Sequence, residues 1–208
     1  MAEYLDNLNA QQRDAVVYSG GHSLVIAGAG SGKTRVLTCK IMYLIDNGLT
    51  PDSIMALTFT NKAANEMKQR IAQLVGTEAA SNIWMGTFHS VFLRVLRTHA
   101  QKIGLNSKFS IYDSSDSRSL IKSIIKELAL DEKTYPVKDI ANAISHAKNR
   151  LITPEDYCYN TAVRNRDLNN GMPSIGTIYA KYQNRCRLSG AMDFDDIIFK
   201  TVELLQRF

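Results

Sequence analysis

Cysteine is scarce in this chain of 208 residues. Cys39, Cys158 and Cys186 are odd in number, far apart and in no CxxC pair, which argues against a disulfide framework or a zinc site. A reduced, cytoplasmic setting is expected. Long apolar runs are missing too: none approaches the roughly 20 residues that cross a bilayer. The segment MAEYLDNLNAQQRDAV lacks the apolar core of a signal peptide, so no membrane partner is expected. There is no internal repeat and no low-complexity tract. Acidic residues are absent from Ala79 to Tyr112, where Arg94, Arg97, Lys102 and Lys108 all fall. Over the whole chain 25 Lys and Arg stand against 20 Asp and Glu, a net charge of +5. That leans modestly towards polyanions, and a solvated basic face accounts for it equally well until motifs are considered. At 45% hydrophobic and 22% charged residues, the composition suits a globular protein with a sizeable core.

Apolar periodicity divides the chain. Leu24–Ala27, Ile54–Thr58 and Ile83–Met85 read as buried strands, while Asn9–Val17, Lys33–Asn47, Asn61–Val75 and Phe88–Ile103 read as helices. Gly48, Gly76 and Gly104 stand where helix C-caps are expected. Strands alternating with helices predict an α/β fold, a parallel sheet with helices packed on it. After Gly104 the pattern turns all-helical: IYDSSDSRSLIKSIIKELAL, VKDIANAISHAKNRLI and PEDYCYN read as helices. TAVRNRDLNNGMP (161–173) reads as a polar loop. Ser174 then caps a helix through Leu188, and another runs from Phe194. TVELLQRF stops within a helical pattern, so a truncated chain is expected.

The segment AGAGSGKT, Ala27 to Thr34, matches G-x-x-x-x-G-K-[ST] with Ala27 in place of the first glycine. Gly28, Gly30 and Gly32 let the backbone wrap phosphates. The backbone of Ala29, Gly30, Ser31 and Gly32 supplies N–H groups, Lys33 reaches the β- and γ-phosphates, and the Thr34 hydroxyl ligates Mg²⁺. Such a loop needs an acidic magnesium partner. Asp113 in FSIYDSSD reads better as a helix cap, and Asp193, Asp195 and Asp196 in AMDFDDII begin a helix, where they suit its dipole. The metal-binding acid is therefore expected beyond Phe208.

In a parallel sheet, ligands bind outside the carboxyl ends of the strands. The second predicted strand delivers Thr58-Phe59-Thr60-Asn61 there, and the third Thr87-Phe88-His89-Ser90. Aromatic platforms beside basic groups are what a single strand of nucleic acid requires. Core packing is the competing reading of both aromatics: on spacing, Phe88 belongs in the core and Phe59 stays undecided. His89 reads equally well as a helix N-terminal residue satisfied locally.

LNAQQRDAV, AGAGSGKTRVL, ALTFTNKAANEM, GTFHSVFLRVL and AMDFDDII follow one another in the order and spacing of the Rep/UvrD/PcrA family of superfamily 1 DNA helicases, which the chain resembles over nearly its whole length. The resemblance implies a P-loop (RecA-like) parallel sheet with helices on both faces, truncated, plus an inserted all-helical subdomain. Residues 1–104 would begin motor domain 1A, 105–188 would form subdomain 1B, and 189–208 would return into 1A. It also implies that Gln12 contacts adenine, that Arg35 lies near the nucleotide, and that ATP with Mg²⁺ is bound. Phe59, Asn61, Thr87 and His89 would contact single-stranded DNA, and Phe194 would stack on a base. The partners implied are single-stranded DNA and single/double-strand junctions, with 3′→5′ translocation. The family's DExx box, second motor domain and arginine finger are missing from the sequence, so the fragment is expected neither to hydrolyse ATP efficiently nor to unwind.

Two other classes compete. A small P-loop kinase would need a lid, which Arg164 and Arg166 in the 161–173 segment imitate, but the TFTN and TFHS segments would then be unexplained. A binding module with a vestigial loop conflicts with intact Lys33 and Thr34.

Overall fold

The computed structural model describes residues 3–208 and divides the chain into two compact units, Met1–Val91 and Phe92–Phe208. In the first, α1 (Glu3–Asp6) and α2 (Ala10–Val17) precede α3 (Lys33–Asp46), β1 (Met55–Thr58), α4 (Asn61–Val75), α5 (Thr77–Asn82) and β2 (Trp84–Thr87). β1 and β2 pair in parallel, with Thr58 opposite Thr87. Parallel neighbours need a crossover, and α4 and α5 supply it.

Local chemistry sets these boundaries. Asn9 and Gln12 close a capping box on α2, Thr60 accepts the Ala63 N–H to start α4, and Gly76 ends α4 at a φ of 84°. Ile41, Ala56, Met67, Ile71, Ile83 and Met85 make the core between α3, α4 and the strand pair. Met67 and Ile71 are 1% and 0% exposed, and each buried side chain of this size contributes about 1.5–3 kcal/mol.

The predicted strand Leu24–Ala27 is not formed. The segment pairs with no strand among the described residues, and Leu24 and Ile26 are 85% and 89% exposed. Hydrophobicity signals that a segment gains by burial without providing a ladder neighbour, and among the described residues β1 and β2 pair with each other alone. Phe88, expected in the core, is half-buried instead, because it opens α6 at the carboxyl edge of the strand pair.

α6 (Phe88–His99) crosses the division between the units, and a short 3₁₀ turn ends at Gly104. In the second unit follow β3 (Ser110–Tyr112), α7 (Ser114–Glu127), α8 (Val137–Asn149), α9 (Pro154–Tyr159), α10 (Thr161–Asn169), α11 (Ile175–Leu188), β4 (Ala191–Asp193) and α12 (Phe194–Arg207). Two departures from the sequence reading fall here. The segment from Ile111, read as the opening of a helix, begins instead within β3, which pairs in parallel with β4; its ladder partner lies some eighty residues on. The predicted loop at 161–173 is largely α10. Asn160 caps it by accepting the Val163 N–H at 3.1 Å, and a buried Asp167 rather than an apolar stripe anchors it. The helical core gathers Ile121, Ile124, Ile140, Ile144, Ile178 and Tyr182 from α7, α8 and α11. Among the described residues no helix is long and apolar enough to cross a membrane.

Candidate functional site

The loop of residues 27–34 folds as a tight turn leading into a helix. Gly30 and Gly32 adopt φ of 76° and 82°, a region that costs a residue with a Cβ about 1–2 kcal/mol. Gly28 does not, so glycine is demanded at positions 30 and 32 by backbone conformation and at 28 by none. The Ser31 hydroxyl donates to the Gly28 carbonyl at 2.7 Å. Gly32 is the N-cap of α3 and offers no side-chain acceptor, so no N-cap side chain takes up the first N–H groups of that helix. A Cβ at Gly28 or Gly30 would meet nothing within 4 Å: the space over the loop is open. Thr34 and Arg35 are exposed on the first turn of α3.

Lys33 folds back on the loop. Its ammonium donates to the Ala27 carbonyl at 2.9 Å and the Gly28 carbonyl at 2.5 Å. Phosphate oxygens make stronger partners for an ammonium than neutral carbonyls, so exchange on anion binding is downhill. Gln12 reaches the same loop. Its Nε2 donates to the Ser31 carbonyl at 2.9 Å, while its Oε1 accepts the Asn9 N–H at 3.1 Å. One amide thus closes a helix cap and latches the loop of residues 27–34. Adenine contact through that amide would require it to release at least one of these bonds, each contributing about 0.5–1.5 kcal/mol.

At the carboxyl edge of the strand pair, the register sets Thr58 opposite Thr87, and the expected contact Phe59 meets Phe88, which was expected in the core. Phe59 is 90% exposed, and its ring centroid lies 5.4 Å from that of Phe88, tilted by 41°. Asn61 is exposed at the first position of α4. Thr87 is half-buried and its hydroxyl accepts the Ser90 N–H at 3.3 Å, a local capping role at the start of α6. His89 is half-buried in the first turn of α6. Gly86 beneath them has a packing reason: a Cβ there would stand 2.4 Å from Ser90 Oγ.

Phe194 belongs to the second unit, at the first position of α12 and 56% exposed. The acids weighed as metal ligands are engaged elsewhere. Asp113 caps α7, accepting the Ser115 and Asp116 N–H groups. Asp193 and Asp196 close a capping box on α12 and flank the buried ammonium of Lys148 at 2.7 Å and 2.8 Å. Sequence reasoning missed that lysine, although Ile140, Ile144 and Lys148 recur at intervals of four along α8, which places it in line with a core stripe. Arg166, weighed as part of a lid, donates to Asp167 Oδ1 at 2.8 Å and to the Tyr157 hydroxyl at 3.1 Å. A cavity of about 750 Å³ in the second unit, lined by Gln183, Met192, Phe199 and Glu203 among others, contains none of the expected nucleotide or DNA residues.

Comparison with known proteins gives one consistent result. A family model described as the UvrD/REP helicase N-terminal domain matches residues 8–208. The ATP-dependent DNA helicase UvrD1 of Mycobacterium leprae (strain TN) is 49% identical over 206 residues, 98% of this chain and 26% of the relative. UvrD1 of Mycobacterium tuberculosis (strain ATCC 25618 / H37Rv) is 48% identical over 208 residues, 99% of this chain and 26% of the relative. The ATP-dependent DNA helicase PcrA of Staphylococcus epidermidis (strain ATCC 12228 / FDA PCI 1200) is 44% identical over 208 residues, 100% of this chain and 28% of the relative. The chain thus spans about a quarter of the length of the curated relatives it matches.

Proposed function

The chain belongs to the UvrD/REP helicase N-terminal domain family, and on that premise we propose that it forms the nucleotide-binding and single-strand-binding part of an ATP-dependent DNA helicase. The observation that carries the proposal is the loop itself. Two left-handed glycines deliver an uncapped helix start, with Lys33 and Thr34 on its first turn. That arrangement suits a chain of phosphates, with the backbone N–H groups of residues 29–32 on the oxygens and Lys33 on the terminal phosphates. Thr34 would hold Mg²⁺, whose charge offsets that of the phosphates. Gln12 would read adenine, and Arg35 would lie beside the nucleotide.

DNA would run across the carboxyl edge of a RecA-like sheet. Phe59 has the exposure of a stacking platform, with Asn61, Thr87 and His89 as further contacts, and Phe194 stacks on a base. We assign residues 1–104 and 189–208 to motor domain 1A and 105–188 to subdomain 1B, acting at single/double-strand junctions with 3′→5′ polarity. Asp113, Asp193 and Asp196 are held as caps, and the last two also by Lys148. They are therefore poor candidates for the magnesium acid, and these 208 residues alone bind ATP without turning it over efficiently or unwinding DNA.

A titration of the chain with a fluorescent ATP analogue in Mg²⁺ tests the assignment. Saturable binding, weakened at least about tenfold by Lys33→Ala while the melting curve stays cooperative, is expected, since a charge-assisted contact contributes about 1.5–3 kcal/mol. Equal binding by Lys33→Ala would overturn it. Phosphate transfer from ATP to nucleosides would favour the kinase class instead.

A further inference from the structure

The buried charges of the second unit have no part in the function proposed so far. Lys148 lies on α8 with its side chain 1% exposed, its Nζ 2.7 Å from Asp193 Oδ2 and 2.8 Å from Asp196 Oδ1. Each carboxylate divides its oxygens between two tasks. Asp193 Oδ1 accepts the Asp196 N–H at 2.9 Å, and Asp196 Oδ2 accepts the Asp193 N–H at 3.1 Å, closing the helix cap. The remaining oxygens take the ammonium. They also take the Tyr182 hydroxyl, at 2.9 Å on Asp193, and the Gln183 amide, at 3.2 Å on Asp196. The Tyr182 ring lies 5.2 Å from the ammonium, centroid to nitrogen.

Burial is the largest single influence on Lys148 and opposes its charge, yet Asp196 and Asp193 together outweigh it and hold the ammonium above its ordinary pKa. Burial raises the Asp196 carboxyl, and Lys148 offsets only part of that rise. The two directions agree once the charges are counted: one cation serves two carboxylates. The N-terminus of α12, where both sit, supplies further positive potential.

Such a cluster is a weak source of stability, because apolar replacements of buried ion pairs are often neutral or better. What it does supply is a fixed geometry. The two aspartates bracket Phe194 and Asp195, and Asn149, the residue after Lys148 on α8, donates to Asp195 Oδ1 at 3.3 Å. Consecutive residues of α8 therefore grip the first turn of α12 from its buried and its exposed side. Phe194, 56% exposed, sits on the turn so held.

We infer that Lys148 is a positioning residue for the base-stacking aromatic: it fixes the first turn of α12 and with it the orientation of the Phe194 ring. The inference rests on the reading of Phe194 as a DNA contact and places Lys148 behind that contact rather than on the DNA. It also makes α8, within the segment assigned to subdomain 1B, a determinant of the DNA site.

Lys148→Met alone strands two buried carboxylates and risks unfolding. The informative protein combines Lys148→Met with Asp193→Asn and Asp196→Asn, which removes all three charges and keeps residues that cap well. A cooperative melt checks that it folds. One readout needs no DNA: with Trp84, the one native tryptophan, replaced by Phe, Phe194→Trp places a single indole on the turn, and its fluorescence anisotropy decay should show at least about a twofold larger fast-motion amplitude in the neutralised background than in the chain with Lys148, Asp193 and Asp196 intact. The other is affinity for oligo(dT) across a double-mutant cycle. Neutralisation should weaken binding about 5- to 10-fold, within the range of couplings between contacting residues, and should cost nothing further once Phe194→Ala is present. Unchanged indole motion, or losses that add to that of Phe194→Ala, would overturn the inference. Should Phe194→Ala leave the affinity of the unaltered chain unchanged, the base-stacking reading fails, and the indole alone upholds or overturns the hold of Lys148 on the turn.

Discussion

At Gly32 the chain passes from loop to helix with a φ of 82°, and a Cβ there would stand 2.7 Å from Gln12 Nε2. Two costs coincide: left-handed backbone strain of about 1–2 kcal/mol and displacement of the amide that latches the loop. Gly32→Ala is therefore expected to lower the melting temperature and weaken binding of the ATP analogue about tenfold or more. Gly28→Ala, with no positive φ and open space around it, should melt like the unaltered chain. Equal behaviour of the two variants in paired melts and titrations would contradict this account of the loop. Residue chemistry of this kind was partly legible in the sequence. Asp113 was readable as a cap because an aspartate before a helical pattern leaves few alternatives. The latch was not, because Gln12 and Ser31 are nineteen positions apart and meet only once the loop has turned. Lys148 was missed for the same reason, its partner Asp193 being 45 positions away.

Elements with a strong period and a cap were legible: α4 begins and ends where the sequence places it, between Thr60 and Gly76. Elements that depend on remote neighbours were not. β3 gains its strand character from β4, and α10 is held by Asp167, whose carboxylate receives the Tyr157 hydroxyl at 2.8 Å. Leu24–Ala27 shows the converse, an apolar segment with no ladder partner among the described residues. Its exposure has a measurable consequence. Replacing Leu24 and Ile26 by Ser should change stability by less than about 0.5 kcal/mol per site, as for surface positions, and should reduce self-association, since contiguous exposed apolar side chains favour association. Ile71→Ala, at a position 0% exposed, should cost about 2–5 kcal/mol. Denaturant melts and sedimentation decide between these outcomes. A loss at Leu24 and Ile26 comparable to that at Ile71 would show that the segment is buried in solution.

Over the whole molecule, the charge distribution and the matched motifs are what support the proposed polyanionic partner. Acid-free sequence from Ala79 to Tyr112 includes the strand-end aromatic Phe88 and runs on beyond it, within a net charge of +5. The chain spans about a quarter of the length of its UvrD1 and PcrA relatives, so unwinding and translocation are proposed of the larger assembly of parts, and binding is proposed of these residues themselves. The measurement that tests this most directly is anisotropy of a labelled oligo(dT) titrated with the 208-residue chain over a series of salt concentrations, with Phe59→Ala alongside. Saturable binding is expected. If about four basic side chains meet phosphates, log K should fall against log salt with a slope near −3, and Phe59→Ala should weaken binding by about 1–3 kcal/mol. Affinity that ignores salt and is unchanged by Phe59→Ala would contradict the assignment of this edge to single-stranded DNA.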